Sequence, residues 1–432
     1  MLQRWLPGVD DEPERPLQRP DEAAHGRMHA DGSSEALDRD PGPPIPVTYA
    51  LRGCAQFLRE VSGGLGRLAP EHRVAAVSRI GRSWCDPLDA HRIEAIERLP
   101  AELGTSPESV AWALDATFES WTHEVLQSWL GGVTHTTHAG LTGHVWAGNV
   151  FTAGLPPVAA SLLAGVPALI KAPGRLPTFA ALFARSVAHH APELGPCVGA
   201  AGWGRHNAAA TAALLTADVV FAFGDDASLD ALDVASPSPV RRFGHRYSVA
   251  IASAMPSQMA LTRLTEDLLA YDGAGCLTPR WLFMEGSLNA AVAVAKRAAP
   301  LLAAGAKALP GVPLEPGPGA ARATFLAAAA FEGWSDSGAG WAAAATTWDP
   351  TLVAPSRCLY VVAVPSLDQL PTLLSPLGPR LQGVALVGMD ALGDDLLDAL
   401  RALGVSRVVP AGLLQRPPIH WIHDDVDPFA LD

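Results

Sequence analysis

Lysine is almost missing from this chain. Lys171, Lys296 and Lys307 are the only three in 432 residues, and arginine supplies the remaining positive charge. The formal net charge is -13. That balance excludes a nucleic-acid partner, which needs a clustered basic face. Cysteine is also scarce. The five are Cys54, Cys85, Cys197, Cys276 and Cys358, widely spaced and without a Cys-x-x-Cys pair. An odd, scattered set argues against a disulfide framework and against a structural zinc site. The first residues, MLQRWLPGVDDEPERP, lack the apolar core of a signal peptide. No uncharged apolar run approaches the roughly 18 residues of a membrane-spanning helix. The expectation is a cytoplasmic enzyme-sized chain with no membrane span.

What is present is apolar and patterned. Apolar residues make up 49% of the chain, enough for packed cores, and the length suggests two or three domains. Residues 1–45 are rich in Asp, Glu, Arg, Pro and Gly without apolar periodicity and read as a disordered tail. Helical spacing runs from about 50 to 128. The Gly- and Thr-rich stretch 131–146 suggests a hairpin. From 166 to 253 short apolar strands (VPALIKA, PCVGAAG, DVVFAFG, YSVAIAS) alternate with helical segments. That alternation implies βαβ units and a parallel sheet covered on both faces. Such sheets bind ligands beyond the carboxyl ends of their strands. A second α/β region follows, with WLFMEG, RCLYVVAVPS, GVALVGM and SRVVPAG as strands. The Ala/Gly/Pro-rich segment 310–350 resists assignment.

Four kinds of residue could carry chemistry. Cys276 stands in YDGAGCLTPR, where flanking glycines permit close approach of a ligand. On spacing alone it is either an exposed nucleophilic thiol or a small buried hydrophobe. Asn149, in the Gly-flanked WAGNVFTAG, is either an oxyanion donor or a turn residue bonded to its own backbone. Lys171 ends the strand VPALIK, to reach a cofactor or to point to solvent. His135, His138 and His144 are too loosely spaced, without a completing ligand, to make a metal site. GAAGWG at 199–204 follows a strand but departs from the GxGxxG spacing.

In order along the chain, HVWAGNV, ALIKAPGRLPTFAALFARSV, ADVVFAFGDD, FGHRYSVAI, YDGAGCLTPR and LGVSRVVPAGLLQRPPIHWIHDD resemble the LuxC-type fatty acyl-CoA reductase family. That family is the reductase branch of the aldehyde-dehydrogenase superfamily, and the likeness covers roughly residues 140–425. The resemblance implies an α/β fold of aldehyde-dehydrogenase type, with a doubly wound, Rossmann-like cofactor domain (46–253) and a smaller α/β catalytic domain (254–405). Residues 406–432 would return to a subunit interface of a homodimer. It makes Cys276 the acyl-accepting nucleophile and Asn149 the oxyanion amide. Lys171 becomes the ribose-holding lysine, and Gly224 the glycine turn near the cofactor pyrophosphate.

Departures from the family pattern are informative. Gly174 stands where a ribose-binding glutamate is expected, and Arg175 follows it. A site with Lys171 and Arg175 and no carboxylate implies NADP(H). Asp225 and Asp226 follow Gly224, where carboxylates would repel a pyrophosphate. The base-carrying Glu-Leu-Gly-Gly motif corresponds to Phe243-Gly244-His245-Arg246, without a carboxylate; His245 could act as a base in principle, with an arginine beside it that favours the neutral form, and Asp272 could enter the site from elsewhere. Ser356-Arg357-Cys358 stands near the place of a second ribose-binding glutamate. The expected reaction is NADPH-dependent reduction of an acyl-CoA or acyl-carrier-protein thioester to an aldehyde. An aldehyde dehydrogenase working oxidatively and a non-catalytic scaffold are the rivals.

Overall fold

The structure is a computed structural model that describes residues 47–133, 137–174, 176–204, 206–349 and 351–431. The tail expected at 1–45, His135 and Arg175 lie outside the described residues. The chain divides into two compact units. Among the described residues, the first contains 47–95, 119–244 and 427–431, and the second 96–118 and 245–426.

The first unit is built on five parallel strands, β1 (Thr142–Val145), β2 (Ala168–Ala172), β3 (Val198–Gly202), β4 (Val219–Phe223) and β5 (Val240–Phe243). Their order is β3-β2-β1-β4-β5, the doubly wound arrangement. The strands are short apolar runs because both sheet faces are covered by helices. Helix Leu155–Ala164 precedes β2, and helix Pro177–His190 joins β2 to β3. Proline stands in the first turn of each, where its missing N–H costs nothing.

The hairpin expected at 131–146 does not form among the described residues. TGHV is instead the central strand β1, paired in parallel with β2 and β4. Gly143 is there for packing, since a Cβ would lie 3.2 Å from that of Ala217. His144 is a core residue, bonded to Thr142 Oγ1 at 2.9 Å and stacked on Phe221.

The second unit carries seven strands, so it is not the one with the smaller sheet. They are β6 (Tyr247–Ala252), β7 (Pro279–Glu285), β8 (Trp334–Gly338), β9 (Trp341–Thr347), β10 (Cys358–Val364), β11 (Leu381–Val387) and β12 (Arg407–Pro410). The order is β12-β11-β6-β7-β10-β9-β8, with only the β8–β9 pair antiparallel. Side chains alternate between two cores. Cys358, Tyr360 and Val362 of β10 join one, and Leu359, Val361 and Ala363 the other.

Three boundaries differ from the sequence reading. YSVAIAS leaves the first sheet and becomes β6 of the second, between β11 and β7. Only three residues separate it from β5, too few for a parallel crossover within one sheet. Residues 96–118 belong with the second unit. The unassigned 310–350 segment forms helix Pro316–Glu332 and the β8–β9 hairpin. Ala342 to Ala345 are fully buried strand residues despite alanine's helical preference, because β9 pairs with β10 along its length. No described helix is long and apolar enough to cross a membrane.

Candidate active site

Cys276 occupies the second position of a β-turn closed by the Thr278 N–H donating to the Gly275 carbonyl at 3.1 Å. The turn sits at the amino end of β7 and is pinned on three sides. The Ser248 hydroxyl of β6 donates to the Cys276 carbonyl at 2.9 Å. The Gln415 amide donates to Thr278 Oγ1 at 2.7 Å. The Leu277 side chain is buried in the core shared by β6 and β7.

The approach to this turn is unusual backbone. Tyr271, Asp272 and Gly273 lie consecutively in the left-handed region, with φ of 50°, 54° and 67°. Two non-glycine residues there are costly and persist only when their surroundings hold them. Arg357 does so. Its buried guanidinium donates to the carbonyls of Gly340, Leu269 and Leu309 and to Asp272 Oδ1 at 2.9 Å. A Cβ on Gly273 would meet the Arg357 backbone nitrogen at 2.5 Å. Asp272, the carboxylate suspected from sequence, is therefore committed to this arginine, and Arg357 itself is turned inward.

The groups that bear on the Cys276 thiol come from elsewhere. Arg246, just ahead of β6, places Nε 3.2 Å from Asp424 Oδ1. Gln382 of β11 donates to the same oxygen at 2.7 Å. The Asp424 side chain is 3% exposed, and its Oδ2 is buried without a hydrogen bond. His423 Nε2 lies 3.8 Å from Asp424 Oδ1, with its ring stacked on Trp421. Burial pushes the half-buried Cys276 thiol up to about 12, and the Asp424 charge adds to that. The backbone N–H groups of Cys276 and Leu277 and the Arg246 cation pull in the opposite direction, toward thiolate. Burial likewise holds the His423 imidazole below its usual range, so it stays neutral. Sequence reasoning missed Arg246, Gln382, His423 and Asp424. In the sequence, IHWIHDD carries only part of the family resemblance. Its adjacent His and Asp beside tryptophan were the available signal.

The remaining sequence candidates lie in the first unit, at the carboxyl edge of its sheet. Val145 of β1 is in register with Lys171 of β2 and Ala222 of β4. Asn149 after β1, Lys171 at the end of β2 and Gly224 after β4 therefore share that edge, where such sheets bind ligands. Lys171 Nζ sits over the Trp203 ring at 5.5 Å, and burial lowers its pKa. Asn149 is exposed. At Gly174 an added Cβ would meet open space.

Asp225 is explained by its own helix. Its carboxylate accepts from the Ser228 N–H at 2.8 Å and caps Asp226–Ala235, and these bonds hold it below the usual carboxylate range. The Ser228 N–H in the first turn of that helix is thus already taken by an internal anion.

Solved structures similar to this chain include aldehyde dehydrogenases. A NAD-dependent benzaldehyde dehydrogenase from Corynebacterium glutamicum superposes with a TM-score of 0.64 at 13% identity, covering 94% of this chain and 92% of that chain. Aldehyde dehydrogenase C from Pseudomonas syringae, solved with NAD+ and octanal, gives 0.63 at 14% identity, covering 85% and 82%. Aldehyde dehydrogenase 21 from Physcomitrella patens, solved with succinate, gives 0.64 at 10% identity, covering 85% and 83%. The fold is that of the aldehyde dehydrogenases. Within it, the family model for acyl-CoA reductase (LuxC) matches residues 74–431, and the chain belongs to that oxidoreductase family. No curated protein matches it.

Proposed function

We propose that this protein reduces an acyl thioester, carried by coenzyme A or an acyl-carrier protein, to the aldehyde through an acyl-Cys276 intermediate. The observation that carries the reading is the pinned turn. It presents a half-buried thiol on a backbone fixed by Ser248 at the Cys276 carbonyl and by Gln415 at Thr278. Family membership supplies the substrate class.

The residues at the carboxyl edge of the first sheet suit a nicotinamide dinucleotide. Lys171 offers a cation to the adenosine ribose, and Gly174 leaves room where a side chain would stand. Bound there, the reduced nicotinamide supplies the hydride. The protein's part is nucleophilic attack by Cys276, with the backbone N–H groups and the Asn149 amide donating to the developing oxyanion. In this reading the first unit is the cofactor domain, the second the catalytic domain, and the protein works as a cytoplasmic homodimer preferring NADPH.

The test is NADPH consumption against acyl-CoAs of graded chain length, with mass spectrometry of the trapped acyl-enzyme. Aldehyde should form, and C276A should form neither aldehyde nor adduct while still binding NADPH. A C276A protein that still acquires the acyl group at wild-type rate would sink the assignment.

A further inference from the structure

We infer that Asp424 is the proton acceptor for Cys276: its unpartnered carboxylate oxygen takes the thiol proton as sulfur attacks the acyl donor, then returns it to the departing thiol. The inference rests on the function proposed above and adds a carboxylate, which the Phe243-Gly244-His245-Arg246 segment lacks.

The geometry runs through two neighbouring strands. Ser248 of β6 holds the Cys276 carbonyl. Two residues before it, Arg246 holds Asp424. On the neighbouring strand, Gly383 pairs with Ser248, and the adjacent Gln382 holds Asp424 as well. Both holders of Asp424 thus abut the residue that fixes the Cys276 turn. Both also bind Oδ1, which orients the carboxylate and leaves Oδ2 alone. A buried carboxylate oxygen without a partner is rare and calls for an explanation. An ion pair with Arg246 accounts for Oδ1 only. Asp424 and Asp425 both adopt left-handed backbone, with φ of 55° and 57°, conformations kept where the surroundings require them.

Other groups near the thiol do not fit the role. Arg246 and Arg280 are cations without a lone pair to offer. Tyr247 begins β6 and packs its ring against His245 and Trp281. His423 lies against Asp424, with Nε2 3.8 Å from Oδ1 and its ring stacked on Trp421, and Asp272 is held by Arg357. The Asp424 charge bears on the Cys276 thiol and holds it toward the protonated form.

The step balances without a further reactant. The S–H bond breaks and its proton moves to Asp424. The sulfur–carbon bond forms, and the carbonyl π pair moves to oxygen. On collapse the carbonyl re-forms, the bond to the donor's sulfur breaks, and Asp424 protonates that sulfur. Asp424 ends as a carboxylate, and nothing is oxidised or reduced.

The test is D424N, read by two reactions. One is rapid-quench acylation of Cys276 by a long-chain acyl-CoA without cofactor. The other is iodoacetamide alkylation of Cys276 across pH. Acylation should fall by about 10²-fold. Alkylation should persist, with its midpoint moved to lower pH, because a negative charge beside the sulfur is gone while Arg246, Arg280, His423 and Tyr247 remain. A purely structural role would slow both reactions together. If D424N loses both, D424A with added formate decides: recovery of acylation supports the inference, and no recovery overturns it. Acylation within about twofold of wild type, with an unmoved alkylation midpoint, also overturns it. Failure of the wild-type protein to form any acyl adduct would instead remove the proposed function, and the alkylation shift would still report on Asp424.

Discussion

The Arg357 guanidinium stands 2.9 Å from Asp272 Oδ1, beneath the left-handed turn that leads to Cys276. Its other hydrogens go to three backbone carbonyls, so one side chain ties together segments distant in sequence. Removing a buried charged partner of this kind costs about 3 kcal/mol. R357A should therefore lower the unfolding midpoint markedly. R357K keeps the charge but cannot reach all four acceptors, so it should fall between. In both, the alkylation rate of Cys276 should drop at temperatures where the protein remains folded. An R357A protein with wild-type stability and wild-type alkylation would show that the turn holds without this arginine.

Cofactor choice follows from what surrounds Lys171. A carboxylate beside the adenosine ribose would repel a 2′-phosphate, and Gly174 leaves that place empty. Arg175, outside the described residues, adds a cation by sequence. NADPH should be preferred over NADH in kcat/KM. R175A should erode that preference by roughly tenfold, consistent with losing one charge-assisted bond, with little change toward NADH. Equal efficiency of the wild-type protein with both cofactors would remove the argument.

His144 gives a pH signature to the first unit. It is fully buried and its pKa is pulled down to about 3, so it stays neutral in the folded state. In the unfolded chain it titrates near 6.5. The associated stability is present above pH 6.5 and is lost as pH falls from there toward 3. At pH 5 the loss attributable to this residue is about 2 kcal/mol. H144F removes the titration while keeping an aromatic ring against Phe221. Urea unfolding at pH 7.5 and pH 5 should show a smaller drop for H144F than for wild type. Equal drops would place the acid sensitivity elsewhere.

The alternating stretch from 166 to 243 was legible because each strand is a short apolar run set between helices. β1 was not, since Thr142, Gly143 and His144 read as turn and polar residues until their neighbours bury them. The alanines of β9 favour helix locally, and only pairing with β10 overrides that. The transfer of β6 to the second sheet was derivable from the short connection after Phe243. At the site, the turn that carries Cys276 could be read from glycine spacing, while the thiol's role came only from the family resemblance. Asp424 could not, because Arg246 and Gln382, which hold it, lie far from it in sequence and meet it only through β6 and β11.

The last expectation concerns the acyl-enzyme once formed. A dehydrogenase that makes acid must activate a water on its thioester, which needs an accessible base. The Phe243-Gly244-His245-Arg246 segment holds no carboxylate, and Asp272 is tied to Arg357. The Asp424 charge bears on the thiol, but its side chain is 3% exposed and bound through Oδ1 to Arg246 and Gln382. Such a group can pass a proton to a sulfur already in the site but is shielded from bulk water. The thioester should then persist until hydride or a thiol reaches it. Acyl-CoA mixed with the enzyme and no NADPH should give one acyl group per Cys276, returned to added coenzyme A, with almost no free acid over many enzyme half-turnovers. Adding NADPH should release aldehyde from the same adduct. Continuous multiple-turnover release of free acid without cofactor would show that water does reach a base, and would favour a hydrolytic, acid-forming site.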